Sequence, residues 1–200
     1  MEYFLIIVLS YLIGTINPAH LITRHKKKID IRDVNSKNAG TSNVAMTLGL
    51  KWGVVVGLLD LFKGFIPVLI VRFIFPDNDI YWVLSGLSAI IGHVYPFHMG
   101  FKGGKGTATF GGVCFALLPL ITTGLFIGFF IVLIISDYIV VPTILGVVAI
   151  PIIMYFNDFS YISVGLIVIY TALSLYKHVP NIVRLIKKQE VGLKEGLKKE

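Results

Sequence analysis

Charge and sulfur are both scarce in this chain. Of its 200 residues only 14% are Asp, Glu, Lys or Arg, and there is a single cysteine, Cys114. One cysteine excludes an internal disulfide and argues against a thiolate metal site, so Cys114 reads as a core residue. There is no H-E-x-x-H, and the few acids inside the apolar segments are scattered, so neither a metal nor a cofactor is expected. With 56% hydrophobic residues and a mean hydropathy of +0.83, charge this sparse excludes a soluble domain and implies an integral membrane protein. A chain without a soluble domain has no surface to offer a duplex, and nucleic acid is not expected as a partner. Low-complexity tracts, soluble linkers and internal repeats are also missing, which leaves one domain over residues 1–200.

What charge there is, is concentrated. The net charge is +7, and sixteen of the eighteen Lys and Arg fall between Arg24 and Lys51, at Lys102 and Lys105, and between Lys177 and Lys199. By the positive-inside rule these three segments share the cytoplasmic face, as loops at about 24–50 and 100–107 and an interfacial tail at about 178–200. Connections near Pro76 to Asp79 and at Asn157-Asp158 carry acids and no Lys or Arg, as the opposite side should.

The first apolar stretch, about Tyr3 to Ile22, has no early basic region or small-residue cleavage site and reads as a retained span, kinked or ended at Asn17-Pro18. Its flanking charge puts the N-terminus outside. A second span reaches Phe75 after an interfacial turn around Val44 to Lys51, and a third covers about Ile80 to Gly100. Between Thr107 and Tyr176, both ends of a 70-residue stretch are basic, so the crossings are even in number. A span needs roughly 20 residues. Punctuation at Pro119, Ser136-Asp137 and Asn157-Asp158 then divides the stretch into four. The expectation is an all-α membrane protein of seven transmembrane helices with its C-terminus in the cytoplasm. Pro180 should break the last helix, and Ile182, Leu185 and Ile186 opposite Lys187 and Lys188 suggest a separate amphipathic helix at the interface.

The most informative stretch is G-H-V-Y-P-F-H-M-G-F-K-G-G-K-G-T-A-T, Gly92 to Thr109. Glycines let successive backbone N–H groups converge on one point and a lysine adds a full charge, a combination suited to phosphate. Walker-type spacing fails, because Met99 and Gly106 stand where glycine and Ser or Thr are needed, and the dinucleotide fingerprint fails as well. By itself the loop is either a phosphate cradle or a flexible turn between two membrane helices.

Other residues carry paired readings. N-S-K-N-A-G-T-S-N, Asn35 to Asn43, precedes a helix and is either a second anion wall at a helix N-terminus or a set of ordinary caps. Asp60 and Lys63 share one helix face and form an ion pair that must look inward, since charge at bilayer depth is costly. Arg72 lies outside the charge pattern and is expected to snorkel outward. His93 and His178 are each either an acid-base group or an internally bonded histidine, with Asn181 a helical turn beyond His178 or the cap of the tail helix. His25 to Asp30 matches an H-x-x-x-x-D pattern, but in a basic run without a surrounding soluble domain it is declined.

Taken together, the three basic segments resemble the PlsY family of bacterial acyl-phosphate:glycerol-3-phosphate acyltransferases over nearly the whole chain. The matching residues are I-D-I-R-D-V (Ile29 to Val34) with Ser36, Asn38, Gly40, Asn43, T-L-G (Thr47 to Gly49) and D-L-F-K-G (Asp60 to Gly64). They continue through the glycine loop almost residue for residue, and then Lys177, His178, Asn181, Ile182, Arg184, Leu185 and Glu190. The resemblance implies an enzyme that moves a fatty acyl chain from acyl phosphate to the 1-hydroxyl of glycerol 3-phosphate, giving lysophosphatidic acid and phosphate. It sits in the bacterial inner membrane, its site facing the cytoplasm, with lipid and the enzyme that forms acyl phosphate as partners. It implies Lys105, Ser36, His178 and Asn181 as the catalytic set. Asn38, Gly40, Ser42, Asn43, His93, Lys102, Gly103, Gly104, Gly106 and Thr143 are the implied substrate-binding set, to which this chain's own Lys37 is added. Acyl phosphate is already activated, so no covalent intermediate is required.

This chain departs from the family pattern at Asn35 and Lys37, where glycine is usual, at Thr41-Ser42, and at Met46, where an arginine is usual; Pro142 beside Thr143 is also unusual. Lys37 is the expected substitute for the lost cation. A relative with another acceptor, or a phosphate or lipid binding or transport protein without chemistry, is the alternative that Met46 keeps open.

Overall fold

The structure, a computed structural model, describes residues 1–197. Ten α-helices follow one another: α1 Glu2–Thr15, α2 Pro18–Lys27, α3 Thr41–Leu48, α4 Leu50–Ile74, α5 Asp79–Val94, α6 Thr107–Leu117, α7 Pro119–Ser136, α8 Val140–Tyr155, α9 Tyr161–Ile186 and α10 Leu193–Leu197. Short 3-10 turns stand at Ile31–Asp33 and Phe97–Met99. Helix is what an apolar chain in lipid must form, because each backbone N–H and C=O has to be bonded within its own segment. Phe4, Leu58, Phe73, Leu120, Ile135 and Ile169 all face outward, so the protein is embedded in a membrane. Five helical stretches are long and apolar enough to cross it: Glu2–Lys27, Leu50–Ile74, Asp79–Met99, Pro119–Ser136 and Tyr161–Ile186; Thr107–Leu117 and Val140–Tyr155 are shorter apolar helices.

The breaks fall where the punctuation predicts. Asn17 caps α2, its Oδ1 accepting from the His20 amide at 2.8 Å, with Pro18 in the first turn, where its missing N–H has no consequence. Leu118-Pro119, Asp137 and the Asn157-Asp158 turn separate α6 to α9. Two expectations are overturned. Pro180 does not break the last helix; α9 runs through it to Ile186, and Ile182 to Ile186 are its final turns rather than a separate amphipathic helix. Pro180 is on the exposed face, while Ser174 and His178 anchor the opposite face in the protein, so packing outweighs one lost backbone bond. Arg72 does not snorkel: its Nη1 donates to the carbonyls of Ala116 at 2.7 Å and Leu117 at 3.2 Å, and its guanidinium lies over Trp82. The cation satisfies the open C-terminal carbonyls of α6. The tail folds back, with the amides of Leu193 and Lys194 donating to the Asp137 carbonyl (2.7 Å) and Oδ1 (3.1 Å); the remaining three residues of the expected interfacial tail lie outside the described residues.

Two pairings set the depth of the functional loops. α6 packs beside the middle of α4, where any side chain at Gly64 or Gly112 would strike the facing backbone at Thr109 and Leu61. The N-terminus of α6 therefore stands about 16 Å along α4 from its start. α3 packs back against the start of α4, Ala45 over Gly53 and Thr41 over Gly57, so its N-terminus points inward to nearly the same level. The two helix starts, far apart in sequence, share one depth.

Candidate active site

The three basic segments meet. Gly104 presses against the Ala39 carbonyl and the His93 ring so closely that no Cβ fits there, which joins the first loop to the glycine loop. Lys105 Nζ donates to Asn181 Oδ1, which joins the glycine loop to α9. Arg32 Nη1 donates to the Met99 carbonyl at 2.7 Å and fixes the first loop again from the other side. Its remaining nitrogens grip Asp30, and this hydrogen-bonded pairing holds the Asp30 carboxyl well below the usual carboxylate range and raises Arg32.

Both helices that start here start bare. α3 begins at Gly40 and α6 at Gly106, neither with a side-chain cap. Gly106 has φ +84°, a conformation glycine takes without strain. Among the described residues the amides of Thr41 to Asn43 and of Thr107 to Thr109 are the unpaired donors of these first turns, each with the positive end of a helix dipole behind them. The Asn35 to Asn43 loop thus does not cap its helix. Gly103 and Gly104, expected to aim their amides at phosphate, instead donate to the Val94 and His93 carbonyls at 3.1 and 3.2 Å, closing the end of α5. Anion-binding amides are left to the first turn of α6 after Gly106.

Asn43 is buried and its Nδ2 donates to the carbonyls of Ile31, Val34 and Asn38 at 2.8, 3.1 and 3.0 Å, so one side chain shapes the whole loop. Its Oδ1 has no partner among the described residues. Asn38 is half-buried beside Gly40, while Ser36 and Ser42 are exposed. Lys37, at φ +56°, lines a cavity of about 340 Å³ with Lys102, Gly103, Asp30, Arg32 and Asp33. Thr143 is set apart: its buried hydroxyl donates back to the carbonyl of Ile139, the residue before α8, at 2.8 Å.

Behind the glycine loop lies a buried cluster. Lys63 Nζ is 2.9 Å from Asp60 Oδ1 and donates to the Ile16 carbonyl at 2.7 Å, and His93 Nδ1 is 3.3 Å from the same carboxylate. All three side chains are sealed from solvent. The pair expected between Asp60 and Lys63 is present and faces inward, with His93 joined to it rather than to the solvent-side cavity.

On the α9 side, Asn181 also donates through Nδ2 to Glu190, whose other oxygen accepts from Arg184 Nε at 2.6 Å. Glu190 is a site neighbour the sequence reading did not single out; only its place in the matching run hinted at it. Asn181 is mid-helix and caps nothing. Burial lowers the Lys105 pKa to about 8, Glu190 partly opposing and Arg184 adding to the shift. His178 is buried with Nδ1 2.8 Å from the Ser174 carbonyl. A carbonyl only accepts, so Nδ1 carries the proton and neutral His178 offers Nε2 as an acceptor. Among the described residues no group of three or more His, Cys, Asp or Glu could hold a metal. The arrangement can hold phosphate at Lys105 and the bare helix start, and polarise a hydroxyl beside His178 and Asn181.

Residues 4–188 match the sequence model of the family described as glycerol-3-phosphate acyltransferase. A Hydrogenobaculum sp. (strain Y04AAS1) protein of that name is 37% identical over 94% of this chain and 95% of its own, and one from Aquifex aeolicus (strain VF5) is 34% identical over 95% and 98%. The crystal structure of PlsY, an integral membrane glycerol 3-phosphate acyltransferase, in its glycerol 3-phosphate form, aligns with a TM-score of 0.90 at 33% identity over 96% of both chains. Its lysophosphatidic acid form aligns at 0.86 and 32% identity, over 99% of this chain and 100% of the other. Sequence and fold agree, and the chain belongs to the PlsY family of glycerol-3-phosphate acyltransferases.

Proposed function

We propose that this site transfers an acyl group from acyl phosphate to the 1-hydroxyl of glycerol 3-phosphate, releasing lysophosphatidic acid and phosphate. The observation that carries the reading is the junction of three loops at Lys105, between the bare start of α6 and Asn181 of α9. Both substrates bear phosphate and one bears a long apolar tail, which suits an anion cradle at the edge of a lipid-facing bundle. Lys105 and the first-turn amides of α6 hold the donor's phosphate. Ser36, His178 and Asn181 orient glycerol phosphate, supported by Asn38, Gly40, Ser42 and Asn43 at the start of α3, and Lys37 with Lys102 supplies positive charge. His93, Gly103 and Gly104 shape the loop from behind, and Thr143 acts from α8. The hydroxyl attacks the carbonyl directly, and the departing phosphate takes its proton while His178 Nε2 fixes the hydroxyl's direction.

The basic loops support placing this site on the cytoplasmic side of the bacterial inner membrane, with the N-terminus outside and the C-terminus inside. Counting the two shorter helices α6 and α8 as crossings gives seven spans in one domain, residues 1–200. The enzyme that makes acyl phosphate is the natural neighbour, because an acyl phosphate hydrolyses if released far from its consumer.

The test is phosphate release from palmitoyl phosphate by purified protein in lipid mesophase, with and without glycerol 3-phosphate. Acceptor-dependent release that drops about 1,000-fold in Lys105→Ala is expected. No release from folded protein, or release only with another acceptor, would defeat the reading. Lys37→Ala should raise KM for glycerol 3-phosphate by about 10-fold, the worth of one charge-assisted contact; an unchanged KM would remove Lys37 from the site.

A further inference from the structure

α9 turns four polar residues to one side. Tyr170, Ser174, His178 and Asn181 recur at helical spacing and share a face. Asn181 and His178 belong to the site described above, and Tyr170 lies two turns beyond His178 on the membrane side. It is 3% exposed, and its hydroxyl closes no hydrogen bond among the described residues, although Ser174 lies beside it. Its ring packs on Phe110 of α6 with centroids 4.6 Å apart. The hydroxyl lies 3.8 Å from the point that a Cβ on Gly106 would occupy, at the uncapped start of this 11-residue helix. A buried hydroxyl without a partner is unfavourable unless a ligand completes it. Here it stands beside backbone donors that also lack partners.

We propose that the Tyr170 hydroxyl donates a hydrogen bond to the carbonyl oxygen of the bound acyl donor and stabilises the charge that develops there, while the first amides of α6 hold its phosphate. This rests on the acyl-transfer reading. Lys105 and Asn181 fix the phosphate end of the donor, and its chain must leave toward the apolar side. On that side Gly106 is backed by Ile90, Val94 and the Tyr170 hydroxyl. The acyl carbon is one bridging oxygen from phosphorus, so a donor placed on the apolar side of Lys105 meets the carbonyl rather than the phosphoryl oxygens. As the glycerol oxygen bonds to the acyl carbon, the carbonyl π pair moves onto its oxygen. It returns as the bond to phosphate breaks, and phosphate leaves with that electron pair and the hydroxyl's proton. Tyr170 keeps its own proton throughout. The charge it faces is largest in the transition state, so its removal falls on kcat.

Tyr170→Phe keeps the ring against Phe110 and deletes only the donor. Purified full-length variant, assayed with palmitoyl phosphate and glycerol 3-phosphate, should lose kcat by about 10- to 1,000-fold with both KM values within about twofold and its melting temperature retained. Ser174→Ala should stay near wild type. Wild-type kcat in Tyr170→Phe, a loss confined to KM, or an equal loss in Ser174→Ala, which would make the hydroxyl a partner of Ser174 alone, would each overturn the proposal. A wild-type protein that moves no acyl group to glycerol 3-phosphate would overturn the acyl-transfer reading and this proposal together; full activity in both proteins would overturn only the second. Should Tyr170→Phe fail to fold, a fluorinated and more acidic tyrosine at position 170 serves instead. A more acidic hydroxyl is a stronger donor, so kcat at neutral pH should differ measurably from wild type, and an unchanged kcat would overturn the assignment.

Discussion

Two cavities of nearly equal size mark the two ends of this molecule, and they are built on opposite plans. The one at the basic end, about 340 Å³, is lined by Arg32, Lys37 and Lys102 with two acids; the other, about 330 Å³, by Asp77, Asp79 and Asp158 with Trp82, Asn157, Phe159 and Ser160. Helices start at both ends. At the acidic cavity the starts of α5 and α9 are closed: Asn78 accepts from the Tyr81 amide at 3.2 Å, Ser160 from the Ser163 amide at 3.3 Å, and Asp79 from the Ser160 amide at 2.7 Å. At the basic end α3 and α6 start at glycines and are left open. A capped helix start is finished as a structure, whereas an open one beside a lysine awaits an anion. The comparison separates scaffold from site more sharply than cavity size does.

The sharpest way to break it is to fill an open start. Gly106→Asn retains a residue that tolerates positive φ, and its Cβ would need Ile90 and Val94 to yield only slightly, from 3.0 and 3.2 Å. The protein should fold with little change in melting temperature and lose at least about 100-fold in turnover, as the oriented donors are blocked. Normal turnover would mean that the amides of Thr107 to Thr109 hold no substrate. A smaller effect comes from pH. Burial lowers the Lys105 pKa in the free enzyme to about 8, so the ammonium is present below that pH and lost above it. kcat/KM should then fall by about tenfold per unit above pH 8, and Lys105→Arg, if it retains measurable activity, should remove that limb because guanidinium stays charged. A flat profile to pH 10 in the wild-type enzyme would show that the lysine charge is not what binds phosphate.

Much of this arrangement was legible in the order of residues, because local chemistry decides it. Asn17-Pro18, Pro119, Asp137 and Asn157 end helices through lost donors, caps and polar turns, and the gathering of Lys and Arg into three segments pointed to one functional face. By residue type alone the glycine loop read as either a phosphate cradle or a flexible turn, and only the resemblance to the family favoured the first. What could not be read were choices made by partners distant in sequence. Arg72 finds carbonyls at Ala116 and Leu117, 44 and 45 residues away. His93 is buried against Asp60 on another helix. Pro180 looks like a break in isolation, but α9 is held by Ser174 and His178 on its inner face, and packing overrides the local signal. The amides of Gly103 and Gly104 were assigned to phosphate by the resemblance of the loop; the direction of an N–H depends on backbone torsions that matching residue types do not specify. Tyr170 was missed for a related reason. A tyrosine among Ile167, Val168 and Ile169 reads as core, and only the lack of a hydrogen-bond partner for its hydroxyl among the described residues distinguishes it.

The mildest intervention examines the opposite end. Asn78→Ala removes the oxygen that closes the start of α5, and a lost N-cap of this kind costs about 1 kcal/mol. Thermal unfolding of the purified protein should show that loss as a lower melting temperature, while kcat and both KM values stay at wild-type levels. The reason is distance as well as chemistry: α5 runs 16 residues from Asn78's cap to His93 and Val94, so the site rests on the far end of the same helix. A stiff helix transmits displacement but not the fraying of a distant first turn. If Asn78→Ala instead lowered turnover, the two ends would be coupled along α5, and the capped starts would have to be counted as part of the machinery that holds His93 and the glycine loop in place.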